Sequence, residues 1–444
     1  MKQSLSRRSF LQMTALSSLG VALAACAPAA PAAQPGAAAG EAPSAAAQPT
    51  QIRFHARIGV QGDYYTAMAE QFNAEHPDIE VIPENFPTPN PEYFQKISTM
   101  IAGGTIGDAM WAASIHNYYN YAAAGQYVAL DDFIAADSYD LGQFYPVAID
   151  ACRFEGNMYG LPWIVHPGRI GLYYNQTAFE EAGLELPSAD WTYDDLLEAS
   201  LALTKQEGGQ TTQWGFLPET DYFGLVIPIR SFGGDWMNAE GTQVTVDEEA
   251  AVAGLKMFED IHQLHQVTPT PGQIDDKPQM WASGRVAMVQ SGYWGQSWGK
   301  NFVKDFEWMV APMPKGPEGS RGMFEFDPNV ILATSKAPQA AWEFLKYLST
   351  KEAGVKIAEA GSVPGGRPDV WEDEGLMSYE PHAVFTEIMK TIDPLVMPNN
   401  FRAEELFQVA KNVLDPVWLG EKKIDDVIGE LASAMQMVMD QPRV

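Results

Sequence analysis

From about residue 51 onward, short apolar runs of strand length alternate with amphipathic stretches of helical period. A strand must bury a face and a helix must bury a stripe, so this alternation leads to helices layered on a sheet, an α/β class of fold. Ile52, Phe54, Ala56 and Ile58 alternate with polar residues over 51–60, which predicts a strand. Tyr65, Met68, Ala69 and Phe72 share one face of a helix predicted over 64–75, with Pro77 just past its end. A second strand is expected over 78–82, a helix over 91–101 stopped by Gly103 and Gly104, and a buried third strand over 108–113. The order β-α-β-α-β opens a sheet whose binding crevice lies at the carboxyl ends of its strands. Further on, Leu172-Tyr173-Tyr174 reads as a strand turning at Asn175 into a helix over 177–182, and Trp342, Leu345 and Leu348 form the packing stripe of a helix that begins at Pro338.

The first fifty residues carry an address. Lys2, Arg7 and Arg8 form a positive head, and residues 10–25 are apolar and uncharged, the order of parts in a signal peptide over residues 1–25. The apolar run is shorter than the roughly 20 residues of a membrane-spanning helix. Ser6-Arg7-Arg8-Ser9-Phe10-Leu11 resembles the twin-arginine export signal, a plain positive head being the alternative. Leu23-Ala24-Ala25-Cys26 resembles the lipobox of bacterial lipoproteins, in which the cysteine becomes the acylated N-terminus; the alternative is an ordinary buried thiol. Two or more acyl chains hold a protein stably on a bilayer. Residues 26–50 then form an Ala/Pro/Gly-rich flexible linker.

The net charge of −29 argues against nucleic acid or anionic lipid as a partner and keeps an exposed protein soluble. With Cys26 lipidated, Cys152 is the one remaining cysteine, so stability rests on a hydrophobic core. The length favours two domains. No cofactor or metal is expected: His262 and His265 lie three apart on a helix face that reads as solvated, and Tyr173-Tyr174, although adjacent tyrosines can bind ferric iron, reads as core.

Gly160-Leu161-Pro162-Trp163, Gly171-Leu172-Tyr173-Tyr174-Asn175, Phe179-Glu180-Glu181-Ala182-Gly183-Leu184, Pro187 and Trp191-Thr192-Tyr193-Asp194-Asp195-Leu196 follow one another in an order that resembles the middle of family 1 extracellular solute-binding proteins, the maltose-binding-protein-like receptors of ABC importers. Gly284-Arg285-Val286-Ala287-Met288 through Gly292-Tyr293-Trp294, Pro312-Met313-Pro314-Lys315-Gly316-Pro317, and Ser335-Lys336 with 341–348, Gly361 and Pro364 continue the resemblance, which covers roughly 51–440. It implies a periplasmic-binding-protein-like type II fold with two α/β lobes joined by a hinge that the chain crosses three times. Lobe 1 would take 51–163 plus 313–363 and lobe 2 166–310 plus 366–444. It further implies a monomer outside the cytoplasmic membrane, anchored through Cys26, that captures a sugar and delivers it to membrane-embedded ABC permease subunits.

A sugar asks for flat aromatic faces against its C–H side and fixed hydrogen-bonding groups around its edge. Positions carried over from the family give Trp111, Tyr222, Trp294 and Phe407 as aromatic candidates, each of which could instead be packing. Polar candidates are Asp63, Ser114, Arg169, Asp327 and Arg367, with a surface ion pair as the other reading of Arg169. The chain departs from the maltose-type receptor at His166-Pro167-Gly168, where that relative carries a carboxylate, which leaves the sugar open. A peptide or polyol ligand and a passive structural lipoprotein are other readings, and a secreted glycosidase is the rival enzyme. Against the enzyme, no Gly-x-Ser-x-Gly, phosphate-loop or His-Glu-x-x-His pattern is present.

Overall fold

The computed structural model of the chain describes residues 48–87, 90–112 and 118–443. Arg7, Arg8, Cys26 and Ser114 lie outside the described residues. The strands in chain order are β1 (Thr50–Arg57), β2 (Ile79–Phe86), β3 (Ala109–Trp111), β4 (Arg153–Phe154), β5 (Asn157–Met158), β6 (Gly160–His166), β7 (Gly171–Asn175), β8 (Lys205–Glu207), β9 (Gln210–Leu217), β10 (Val286–Ser291), β11 (Trp308–Pro312), β12 (Met323–Ile331) and β13 (Asp393–Pro394).

They build two larger sheets and a small hairpin of β4 and β5. The first sheet runs β13-β12-β3-β1-β2 with β6 also paired to β12, and the second runs β11-β7-β10-β9-β8. In the first, β1 is parallel to both β2 and β3, the expected outcome of β-α-β-α-β, while β12 enters antiparallel to β3 and β6. In the second, β7 is antiparallel to β10 and β11. The chain leaves the first sheet between His166 and Gly171 and returns between Pro312 and Met323.

The early elements follow the sequence pattern, with two informative departures. The first helix, Val60–Glu75, begins four residues before its apolar face does, because Gly59 at φ 96° turns the chain directly out of β1 and Val60 is left partly exposed. Asp63, expected in a loop, therefore stands exposed in that helix's first turn. β2 runs on to Phe86 through Pro83, which is tolerated because β2 is an edge strand. β13 has no counterpart in the sequence pattern: two residues add a strand beside Met323 and Phe324.

Trp111, Trp163, Trp236, Trp281, Trp342 and Trp371 are among the largest fully buried side chains. Tyr173 is core, its hydroxyl donating to the carbonyls of Gly292 and Tyr293 at 2.9 and 3.2 Å. His262 is not on a solvated face, as its neighbours in sequence suggest, but packs on Trp418 with Nδ1 2.8 Å from the Phe258 carbonyl, and burial lowers its pKa. Among the described residues no group of three or more His, Cys, Asp or Glu could hold a metal ion, and no helix is long and apolar enough to cross a membrane.

β12 serves two cavities. Side chains alternate across a strand, so Glu325 and Asp327 face the larger cavity described below while Phe324 and Phe326 line a smaller one of about 380 Å³ with Tyr119, Leu395 and Met397. The pairing of β12 with β6 shifts register between Asp327 and Pro328.

Candidate ligand-binding cleft

A cavity of about 750 Å³ is walled by residues from both larger sheets and the segments that follow their strands. From the first sheet come Arg57 at the end of β1, Trp111 at the end of β3, His166 at the end of β6, and Glu325 and Asp327 on β12. From the second come Glu219 and Asp221 after β9, and Trp294 and Trp298 after β10; Arg169 lies in the connection between β6 and β7. The cavity thus collects the carboxyl ends of strands, where backbone leaves a sheet and side chains are free to converge.

Four of the residues singled out by sequence, Trp111, Arg169, Trp294 and Asp327, line this cavity. Four others are placed elsewhere. Asp63 is on the exposed first turn of its helix. Tyr222 is buried, stacked on Trp236 at 4.5 Å and packed on Phe407 at 4.6 Å, so both rings form a layer behind the wall. Arg367 pairs with Asp369 at 2.7 Å and donates to Gln143. The residues that sequence reasoning passed over are Arg57, His166, Glu219, Asp221, Lys277, Trp298 and Glu325.

Arg169 is the hub of the wall. Its Nε lies 2.5 Å from Glu219, Nη1 donates to Glu325 at 2.9 Å, and Nη2 is 3.8 Å from Asp221. The guanidinium carbon lies 4.9 Å from the Phe223 ring centre and 5.5 Å from that of Trp294. Burial opposes its charge, but Asp221, Glu325 and Glu219 outweigh burial and hold its pKa above the ordinary value. This guanidinium is committed to carboxylates of the protein.

His166 is 3% exposed, and burial first, then the charge of Arg169, lowers its pKa to about 3, so it is neutral at physiological pH. Lys277 pairs with Glu219 at 2.7 Å; burial pulls its pKa below the usual value against that pairing. Arg57 lies 5.1 Å from the Trp111 ring centre and donates to Gln61 at 2.9 Å. Burial lowers its pKa while Asp327 opposes the shift.

Trp294 owes its position to a glycine. A Cβ on Gly292 would come within 2.2 Å of the indole ring, so the ring folds back over bare backbone at the end of β10. Gly295 allows a comparable approach of the Tyr173 ring at 2.6 Å. Gly292 therefore sets where the indole lies.

Comparison with known proteins follows the same lines. A family model described as bacterial extracellular solute-binding protein matches residues 58–355, more than half of the chain. A binding protein of Brucella abortus is 26% identical over 85% of this chain and 90% of its own length. The arabinooligosaccharide-binding protein of Halalkalibacterium halodurans is 22% identical over 73% of each chain. Among solved structures, the ABC substrate-binding protein of Listeria monocytogenes in complex with cycloalternan superposes with a TM-score of 0.80 at 21% identity, covering 88% of this chain and 99% of that one. That likeness bears out the expected two-lobed, periplasmic-binding-protein-like fold. A match of this extent, on two sheets that converge on one cleft, identifies the family: the chain belongs to the bacterial extracellular solute-binding proteins.

Proposed function

We propose that this protein captures a sugar, a mono- or oligosaccharide, between two lobes and delivers it to an ABC importer without altering it. The observation that carries the reading is the cleft itself, in which Trp111, Trp294 and Trp298 stand among hydrogen-bonding groups contributed by two sheets. Indoles cover the C–H faces of a sugar ring and polar groups meet its hydroxyls. An arabinooligosaccharide-binding relative supports the same ligand class. One lobe would comprise 51–163 with 313–363 and the other 166–310 with 366–444. Closure is then stabilised by contacts a ligand makes to both lobes at once.

Thermal unfolding against a panel of mono- and oligosaccharides tests this. A ligand at 100 times its Kd adds about 2.7 kcal/mol of stability, and a panel without any upward shift removes the sugar reading. Release of product from a saccharide during the screen would favour the enzyme instead.

The anchoring proposal is separate. Cys26, acylated after removal of residues 1–25, would hold the protein on the outer face of the cytoplasmic membrane, with the Ala/Pro-rich stretch as its linker. Cys26→Ser should move the exported protein from the membrane fraction to the soluble fraction; an unchanged distribution overturns the lipoprotein reading.

A further inference from the structure

Among the described residues the cleft lining contains three basic side chains, Arg57, Arg169 and Lys277, and four acidic ones, Glu219, Asp221, Glu325 and Asp327. His166 between them is neutral. Acidic side chains outnumber basic ones among these described residues, and the way the charges pair decides what a ligand meets.

Glu219 is the residue on which that pairing turns. One carboxylate oxygen lies 2.5 Å from Nε of Arg169 and the other 2.7 Å from Nζ of Lys277, so a single side chain engages two of the three cations. It is held there rigidly. Its backbone N–H donates to Oε1 of Gln290 at 3.0 Å, and the amide nitrogen of Gln290 donates to the carbonyls of Arg169 and Gly224, each at 3.2 Å. Gly224 is needed at the same place, since a Cβ there would lie 2.3 Å from the Glu219 carbonyl oxygen. Only 13% of the Glu219 side chain is exposed.

We propose that Glu219 determines the charge class of the ligand: by occupying Arg169 and Lys277 it withholds them from carboxylated or phosphorylated solutes, so that the cleft admits uncharged saccharides and rejects acidic ones. The inference rests on the sugar-binding reading above and specifies it. An anionic group entering the cleft faces a surplus of carboxylate, and it gains Arg169 or Lys277 only by breaking an ion pair that is already desolvated. A neutral ligand meets neither cost. In this arrangement Glu219 rejects by pre-empting a partner, and its effect is felt through Arg169 and Lys277.

Calorimetric titration with matched probes tests it: galactose against galacturonate, and maltitol against maltobionate, both with an open-chain end, with glucose against glucose 6-phosphate as the phosphorylated pair. The parent protein is expected to bind the neutral member of a recognised pair at least about tenfold more tightly than the acidic one. Glu219→Gln, of the same shape without the charge, should narrow that ratio by about tenfold, and the gained affinity should fall as salt is raised. Adding Lys277→Met to Glu219→Gln should remove the gain. Should the glutamine variant not fold, Glu219→Asp, one methylene too short to reach both cations, carries the same expectation. Equal binding of both members by the parent, or an unchanged ratio in a folded variant, overturns the proposal and leaves sugar binding standing. If no member of any pair binds, the sugar reading and this inference fall together.

Discussion

Arg169→Met should destabilise the protein by about 3–5 kcal/mol at pH 7.5, measured by urea unfolding, because it strands carboxylates that the guanidinium now compensates. Glu325 shares in this: it is 5% exposed, Arg169 lies 2.9 Å from it, and His166 at 3.6 Å is neutral. Glu219 keeps Lys277 and loses less. The pH dependence has a definite sign. In the parent the folded pKa of His166, about 3, lies below the ordinary 6.5, so that contribution to stability is present above 6.5 and is lost as pH falls. Burial is the first cause of that lowering and stays in the variant, but the charge of Arg169 is the second, so its removal lessens the loss in acid and narrows the gap between variant and parent there. The deficit is therefore largest at pH 7.5 and smaller at pH 5, and a variant as stable as the parent at pH 7.5 would show that these carboxylates are solvated.

A second large effect is expected from one methyl group. Gly292→Ala places a Cβ where the Trp294 indole now lies, 2.2 Å from its nearest carbon, and the ring, at the far end of a side chain, is what gives way. Gly292 has no positive φ, so alanine meets no backbone strain there. The loss falls on the cleft: affinity for a bound saccharide should drop by about ten- to a hundredfold, the equivalent of roughly 1.5–3 kcal/mol for one displaced aromatic face. Melting temperature without ligand should shift little. Unchanged affinity with the indole displaced, read by tryptophan fluorescence, would remove Trp294 from the ligand surface.

What could be read from the chain beforehand follows from the range of the interactions. β1, β2 and their helices announce themselves through periodicity because the burial that fixes them is local to each element. Trp111 and Trp294 could be reached because the family resemblance carries their positions over. Glu219 could not: nothing in Pro218-Glu219-Thr220 distinguishes it from a solvated turn, and its partner Lys277 lies 58 residues away. The contact between Arg169 and Glu325 spans 156 positions. Charge pairing of that range is created by the meeting of two sheets, which also explains why Arg169 was visible as a candidate while its commitment to carboxylates was not. Tyr222 and Phe407 show the converse limit, since an aromatic residue near a crevice can equally support the layer behind it. β13 escaped notice because two residues carry no period.

The opposed faces of β12 make the polarity of the cleft depend on counting. One residue added between Pro312 and Met323, if it slid the strand by a single position along β6, would exchange Glu325 and Asp327 for aromatic rings and press two carboxylates into an apolar chamber. Arg169 would lose Glu325, and Arg57 the charge of Asp327, in the same step. Evolution can vary the chemistry of this wall by substitution, but insertions and deletions in that connection are closed to it unless a loop absorbs them before the strand begins.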